Sequence, residues 1–419
     1  MRISSLLFLA LPLLAPAHAG AATASAEEEF SAGKAAMASG DAADAERRFR
    51  AAIKAAPGSR EAEQSNVNLG ILLVSRGDMD GAIAAFDAAL AIKADDIKAM
   101  NGKATALIGL SKVEEAIAMW EKAATTNPRD PLAFVNLAYL SMRAGEVGPA
   151  EQFYGMALAA DPGSADAHNG MAQIALMKSD FRTASTEAKA ALRVEPDHAA
   201  ALTTLGKAYI GMDDFAPAAD ALGKAAALAP GEADVHFHLG VALYNLAQYA
   251  DAGMAFADTL DLAPEDPQVH LYGGLCFFKI DMKKEAEEEF DHALDLGAVG
   301  HDQAMALYHK GVLRDDAGNL KEAETLYRAA IKADPKYGVA SNNLGLVLQR
   351  TNRLSEAAME FRRAVTASPD NFVARLNLGH ALWMQGLKAQ AKKELESLRE
   401  LPVGNELREK AEAILADRS

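Results

Sequence analysis

Apolar and polar positions alternate along the chain with the three-to-four-residue spacing of an amphipathic α-helix. Within that spacing an alanine recurs in register, at a step of 34 residues except for two steps of 37 residues. The recurring alanines are Ala45, Ala82, Ala116, Ala150, Ala184, Ala218, Ala252, Ala286, Ala323, Ala357 and Ala391. Eleven occurrences in register predict a chain built from copies of one structural unit.

Each unit is predicted to contain two helices. An aromatic residue lies four positions after the alanine in eight units, and a second alanine lies seven positions after it in nine units. A proline such as Pro162 or Pro196 follows at the twelfth position, where its missing N–H ends a helix. Turn pairs such as Gly40-Asp41 and Gly318-Asn319 precede the alanine and separate the two helices. The pattern therefore predicts stacked helical hairpins, each burying its apolar face against its neighbours.

This pattern resembles the tetratricopeptide repeat (TPR) family over residues 26–403. The resemblance implies an all-α fold, a right-handed superhelix (α-solenoid) of about eleven TPR hairpins. The fifth and sixth units depart from the pattern, with Ala188 and Leu222 at the usual aromatic position. Extra residues occur near positions 60–62 and 301–303, where we expect them to lengthen turns and, at the second place, to form a hinge.

The two ends of the chain differ from the repeats. Residues 1–19 have a short basic start, an apolar segment and a small-residue site ending at Ala19, which is typical of a cleaved secretory signal. An uncleaved N-terminal anchor is the alternative. Residues 20–25 are expected to be a short flexible N-terminus. Residues 404–419 predict an amphipathic C-terminal capping helix over the last hairpin. These features predict an exported protein, with the periplasm as its location.

Charge and composition narrow the possible partners. The formal net charge of −16 disfavours nucleic acid and anionic lipid, and no membrane span is expected after signal cleavage. The one cysteine, Cys276, excludes an intrachain disulfide. We find no catalytic, nucleotide-binding or haem motif, so neither an enzyme nor a cofactor is expected. His236 and His238 lie two apart on a predicted helix and point to opposite sides, which argues against a shared metal ion.

The resemblance implies that the first helices of the hairpins line a concave groove for protein or peptide partners. The groove positions of the seventh to ninth units carry an aromatic and aliphatic stretch, the predicted partner-binding site. Its residues are Phe237, His238, Val241, Tyr244, Leu271, Tyr272, Leu275, Phe278, Tyr308, His309 and Val312. A secondary polar groove is predicted at Asn101, Asn136, Asn169, Lys207, Asn343 and Asn377. The alternative is that some of these side chains pack between neighbouring first helices.

The favoured interpretation is an exported scaffold that binds protein or peptide segments in this groove during cell-envelope assembly or secretion. Two other functions stay open. One is a self-associating structural TPR protein, consistent with a homo-oligomer, and the other is an accessory subunit of a polysaccharide export or synthesis machine.

Overall fold

The computed structural model describes residues 24–416, so the predicted signal segment at residues 1–19 lies outside the described residues. Those described residues form 23 α-helices and no strand, which confirms the predicted all-α class. The chain divides into two compact units, each of which contains several of the sequence repeats. The first unit ends at Gly170 and the second unit begins at Met171.

The first unit contains four complete helical hairpins. Its helices are α1 (Ala26–Ala38), α2 (Ala42–Ala55), α3 (Arg60–Ser75), α4 (Met79–Ile92), α5 (Ile97–Gly109), α6 (Val113–Thr126), α7 (Pro131–Arg143) and α8 (Val147–Ala160). The unit boundary falls within α9 (Ala165–Met177).

The second unit continues the same alternation of first and second helices. It contains α10 (Phe181–Val194), α11 (Ala199–Gly211), α12 (Phe215–Leu228), α13 (Ala233–Asn245), α14 (Tyr249–Leu262), α15 (Pro267–Lys279), α16 (Lys283–Asp295), α17 (Gly300–Asp316), α18 (Leu320–Ala333), α19 (Gly338–Arg350), α20 (Leu354–Ala367), α21 (Phe372–Met384), α22 (Lys388–Glu400) and α23 (Asn405–Ala416).

The recurring alanine lies at the tightest point of each hairpin. All eleven alanines of the series from Ala45 to Ala391 have 0 % exposure. The aromatic residue one turn later is also buried, as at Phe86, Phe256 and Phe361, each 0 % exposed. A methyl group lets the two helix backbones approach, and the ring fills the space beside it. The register predicted from spacing is therefore the packing register of the hairpins.

A glycine on the first helix makes room for that ring. A Cβ placed on Gly240 would lie 2.6 Å from Phe256, and one on Gly345 would lie 2.5 Å from Phe361. These distances are shorter than van der Waals contact, so no larger side chain fits without moving the ring. The recurring Leu-Gly pair in the first helices has this physical cause.

The extra residues lengthen helices, so the prediction that they lengthen turns is wrong. Helix α3 has 16 residues and α17 has 17, whereas the other first helices have 13, as α5 does. The added segments contain good helix formers and no proline, and Ser59 caps α3 by accepting a hydrogen bond from the Ala62 N–H at 3.1 Å. Ser25, expected in the flexible N-terminus, likewise caps α1 with a capping box to Glu28.

Helix α23 packs against both helices of the last hairpin, α21 and α22. Leu395, Leu398, Val403 and Ala411 form the buried cluster at this contact. The outer side of α23 is polar, with Lys410 and Glu406 joined by an ion pair at 2.6 Å. Within residues 24–416, no helix has the length and apolarity needed to cross a bilayer.

Candidate functional site

Nine of the predicted groove residues form a half-buried surface on the first helices α13, α15 and α17. We call this set the aromatic surface, and all of it lies in the second unit. It consists of Phe237, His238, Val241, Tyr244, Tyr272, Phe278, Tyr308, His309 and Val312. The neighbouring first helices α13 and α15, and α15 and α17, contact each other directly, so these side chains are placed side by side.

The rings of the aromatic surface contact one another edge to face. Tyr272 lies at the centre of its first half, with ring centroids 5.7 Å from Phe237 and 6.2 Å from Tyr244. Tyr272 also stacks at 5.5 Å on Phe256, which is fully buried. Edge-to-face contacts of this kind add to the burial of apolar area and fix ring orientation. The surface is therefore a rigid layer with one side on the core and the other in solvent.

His309 joins the second half of the aromatic surface. Its ring lies 4.8 Å from Phe278 and 5.0 Å from Tyr308, and it stacks on the buried Phe290 at 5.7 Å. Burial lowers the pKa of His309 to about 4, with a smaller contribution from the positive charge of Lys279. The imidazole is neutral at pH 7 and contributes a flat, uncharged ring to the surface.

Two of the predicted partner-binding residues do not lie on the surface. Leu271 has 0 % exposure and Leu275 has 3 %, and both pack in the core cluster that contains Phe290. Tyr308, at the position equivalent to Leu271, is half-buried, and so are Val241 and Val312 at the positions equivalent to Leu275. Leu271 and Leu275 are therefore inaccessible in this structure and are not part of the aromatic surface.

Polar side chains border the aromatic surface on both sides. Asn343 on α19 donates a hydrogen bond to the Tyr308 hydroxyl at 3.3 Å, and Asn377 on α21 donates to Asn342 at 2.9 Å. On the other side, Lys207 forms an ion pair with Asp234 at 2.5 Å. The hydrogen bond from His238, with Lys207 nearby, holds the pKa of Asp234 far below its usual range. These three predicted polar residues, Asn343, Asn377 and Lys207, are half-buried.

The other predicted polar residues lie in the first unit and differ among themselves. Asn136 is half-buried on α7. Asn101 has 4 % exposure and Asn169 has 7 %, so neither offers its amide freely to a partner. Both lie at the repeat position of Leu271, which is buried as well, and their role in a polar groove stays a prediction.

The histidines of the first helices have a structural role. His168, His236 and His270 place Nε2 3.1, 3.1 and 3.3 Å from the carbonyl oxygens of the prolines six residues earlier. Each ring thus ties a first helix to the turn that precedes it. His238 lies on another side of α13, with Nδ1 2.7 Å from the Asp234 carbonyl oxygen. No group of three or more His, Cys, Asp or Glu side chains within residues 24–416 is placed to hold a metal ion.

Two tyrosines that the sequence interpretation did not include extend the aromatic surface. Tyr249 contacts Tyr244 at 5.3 Å, and Tyr337 contacts Tyr308 at 5.4 Å. Tyr249 begins a second helix and Tyr337 lies in a turn, so neither occupies a first-helix groove position. In the sequence, the only indication that they extend the surface is that Tyr249 lies close to Tyr244 and Tyr337 lies close to Asn343.

A second concave feature lies in the first unit and was also not predicted. It is a cleft of about 800 Å³ on the first helices α1, α3 and α5. We call it the N-terminal cleft. Its lining is Phe30, Lys34, Arg60, Glu63, Gln64, Val67, Asn68, Ile71, Lys93, Asp96, Ile97, Lys98 and Asp130.

Sequence comparisons identify the repeats. One family profile, described as tetratricopeptide repeat, matches residues 30–97, 203–267 and 283–338. A second profile with the same description matches residues 107–174 and 352–408. The chain belongs to the tetratricopeptide repeat family, and its repeats support a role as a protein–protein interaction scaffold. No curated protein matches the sequence significantly.

Solved structures with similar folds share little sequence with this chain. The TPR protein YrrB, whose structure is described as having an unusual peptide-binding site, is 24% identical, with 46% of this chain and 97% of YrrB covered and a TM-score of 0.40. A TPR protein from Parabacteroides merdae is 18% identical, covering 60% and 98% of the two chains with a TM-score of 0.44. The Cut9–Hcn1 hetero-tetramer of the APC/C gives 12% identity, coverage of 93% and 90%, and a TM-score of 0.49.

Proposed function

We propose that the protein binds an extended segment of a partner protein on the aromatic surface. The observation that carries this proposal is the aromatic surface itself, a half-buried layer of rings on three successive first helices. Such rings offer a large contact area at a low cost in side-chain entropy because they are already fixed by one another. Binding sites for proteins concentrate their energy in aromatic residues of this kind.

The chemistry of the surface favours a segment with apolar side chains and an accessible backbone. Tyrosine hydroxyls and asparagine amides next to the rings are donors and acceptors for peptide groups. The Tyr308–Asn343 pair, at 3.3 Å, shows that one such hydroxyl is already oriented by a neighbour. The half-buried His309 is uncharged at neutral pH, so its ring adds no charge to the surface.

We further propose that the protein acts in the cell envelope, in assembly or secretion, after export to the periplasm. The support for this part is the composition of residues 1–19. Mass spectrometry of the protein isolated from its native cells tests it. We expect a mature N-terminus at Gly20 and recovery with the periplasmic fraction, and an intact Met1 in the cytoplasmic fraction would contradict it.

A cross-linking pull-down from the envelope fraction tests the binding proposal. Tyr272→Ala combined with Phe278→Ala removes two rings from the aromatic surface. The matched control is Met254→Ala combined with Met359→Ala, which removes two apolar side chains from second helices where they are 61% and 60% exposed. We expect the first pair to lose the partner at least tenfold and the control pair to retain it.

Because Tyr272 also stacks on Phe256, the loss must be separated from unfolding. Circular dichroism and thermal melting of both variants provide this control. Full partner retention by a folded Tyr272→Ala, Phe278→Ala variant would contradict the proposed binding surface.

A further inference from the structure

The Glu63 and Asp96 carboxyl groups line one wall of the N-terminal cleft, where hairpins two and three join, and are placed to share a side-chain hydrogen bond. Glu63, on α3, has 6% exposure, and Asp96, in the turn before α5, has 7%. Both line the cleft. Two buried carboxylates next to each other are unfavourable unless cations or a shared proton offset the repulsion.

The donors around this pair are divided unequally. Asp96 accepts a hydrogen bond from the Ala99 N–H at 2.8 Å, as the N-cap of α5, and lies 3.2 Å from the Lys93 ammonium. Those two donors hold Asp96 in its ionised form. Glu63 has no such ion pair within the described residues, and a protonated Glu63 is the form that can donate a hydrogen bond to Asp96.

We propose that Glu63 and Asp96 form a proton-operated latch that holds the second and third hairpins together at the N-terminal cleft. With the proton present, the Glu63 carboxyl donates to the Asp96 carboxylate and joins α3 to the start of α5. Loss of the proton leaves two anions in contact and releases the Glu63 side chain toward the cleft. The cleft therefore has a closed and a relaxed wall, and one proton selects between them.

The charges around Glu63 set the pH at which this occurs. The groups that line the same cleft are Lys34 from α1, Arg60 from α3, Lys93 and Asp96 from the turn before α5, Lys98 from α5 and Asp130 from the turn before α7. Burial, followed by the hydrogen bond to Asp96 and its charge, raises the pKa of Glu63 to about 7, although Lys93 and Arg60 act in the opposite direction. Burial acts to raise the pKa of Asp96, but the hydrogen bonds from the Ala99 N–H, Glu63 and Lys93 outweigh it and hold that pKa below its usual range.

The sign of the pH effect follows from linkage. A carboxyl whose pKa is raised in the folded protein binds its proton more tightly there, so its stabilising contribution is present at acidic pH and is lost as the pH rises through about 7. The ionised Asp96 contributes in the opposite sense, but its transition is complete well below this range. Between pH 6 and pH 8, Glu63 is the member of the pair that titrates.

Hydrogen exchange of the full-length protein, followed by mass spectrometry, tests the latch. After correction for the intrinsic exchange rate, we expect protection of peptides from α3 and α5 to fall about tenfold between pH 6 and pH 8 in the wild type, since one pKa unit corresponds to a tenfold change. Glu63→Gln should abolish this fall, because its amide still donates to Asp96. Glu61→Gln, a control on the same helix, should keep it.

The titration of Glu63 itself gives a second readout that needs no variant to fold. Carbon-13 NMR of the glutamate carboxyl groups in the wild type should show one with a midpoint near pH 7. If every glutamate carboxyl group titrates near the ordinary pKa of about 4.3, the proposal is overturned. Identical exchange profiles for the wild type and Glu63→Gln would overturn it as well.

Discussion

The residue that most directly defines the hairpin register is the fully buried alanine of the second helix. Ala218 has 0% exposure and lies beside Leu222, also at 0%, at the contact between α11 and α12. A Cβ methyl is the largest group that this helix contact accepts, because protein interiors are packed without voids.

Ala218→Leu should therefore destabilise the protein by about 1–3 kcal/mol through overpacking. Urea unfolding followed by circular dichroism measures the change. Ala227→Leu, on the exposed side of the same helix, is the matched control and should change stability by less than about 0.5 kcal/mol. Equal effects of the two substitutions would show that the register is not as described.

His309 makes the aromatic surface sensitive to acid. Its pKa is lowered to about 4, so the unfolded chain binds the proton more readily than the folded protein does between pH 6.5 and pH 4. The stabilising effect of the neutral ring is complete above about pH 6.5 and is lost as the pH falls.

At pH 4.5 we expect this loss to be about 2 kcal/mol relative to pH 7, as an order of magnitude. His309→Phe keeps an aromatic ring without a titrating group. Thermal melting at both pH values should show a smaller acid-induced drop for the variant than for the wild type, and other histidines affect both proteins alike. A drop of the same size in both would argue against a buried neutral His309.

At the scale of the helices, the turn inside each hairpin depends on one residue with a left-handed backbone. Glycine supplies it at Gly40, Gly77, Gly145, Gly318 and Gly386, with φ between 76° and 80°. Other residues occupy it in the remaining hairpins, and at Ala247 φ is 58°. An alanine in this conformation costs about 1–2 kcal/mol, partly offset by the smaller entropy of its unfolded state.

Ala247→Gly should stabilise the protein by about 0.5–1 kcal/mol, because the turn needs the left-handed conformation. Gly318→Ala is the reciprocal control, since nothing lies within 4 Å of its Cβ position and only the backbone conformation opposes the change. It should destabilise by about 1 kcal/mol. Denaturant unfolding midpoints measure both, and two changes of the same sign would contradict this explanation of the turn.

The sequence predicted the helices and their register well because both depend on local spacing. The alanine at each hairpin contact and the aromatic residue one turn later must recur wherever two helices cross in the same way. The extra residues near 60–62 and 301–303 were placed in turns, although Ser59 already gave the capping signal for a longer α3.

The candidate site was less predictable because the repeat assigns a position to a helix side but does not set how closely neighbouring residues cover that position. Leu271 and Tyr308 occupy equivalent positions, yet one is fully buried and the other half-exposed. Val241 and Val312 are also half-buried, although the longer Leu275 at the equivalent position is 3% exposed. The packing around each position therefore decides the exposure, and the repeat pattern does not give that packing. The N-terminal cleft was missed because the Glu63–Asp96 pair joins residues that are 33 positions apart and belong to different hairpins.

At the scale of the whole molecule, the TPR repeats support a protein–protein interaction scaffold. We expect no end-to-end growth through the C-terminal end of the repeats, since the outer side of α23 is polar, with Lys410 paired to Glu406. Light scattering coupled to gel filtration over a hundredfold range of concentration measures this. A mass that rises with concentration would favour the self-associating alternative.

The central claim is that a partner lies against the aromatic surface, and site-specific photo-cross-linking in native cells tests it most directly. A photoreactive phenylalanine analogue at His238, on the rim of the surface, is compared with the same group at Met254 on α14. Both variants are first shown to fold by circular dichroism. We expect one discrete cross-linked partner from position 238, lost when Tyr272→Ala and Phe278→Ala are added, and no such product from position 254. Cross-linking of the same partner from position 254, or no loss on removal of the two rings, would contradict it.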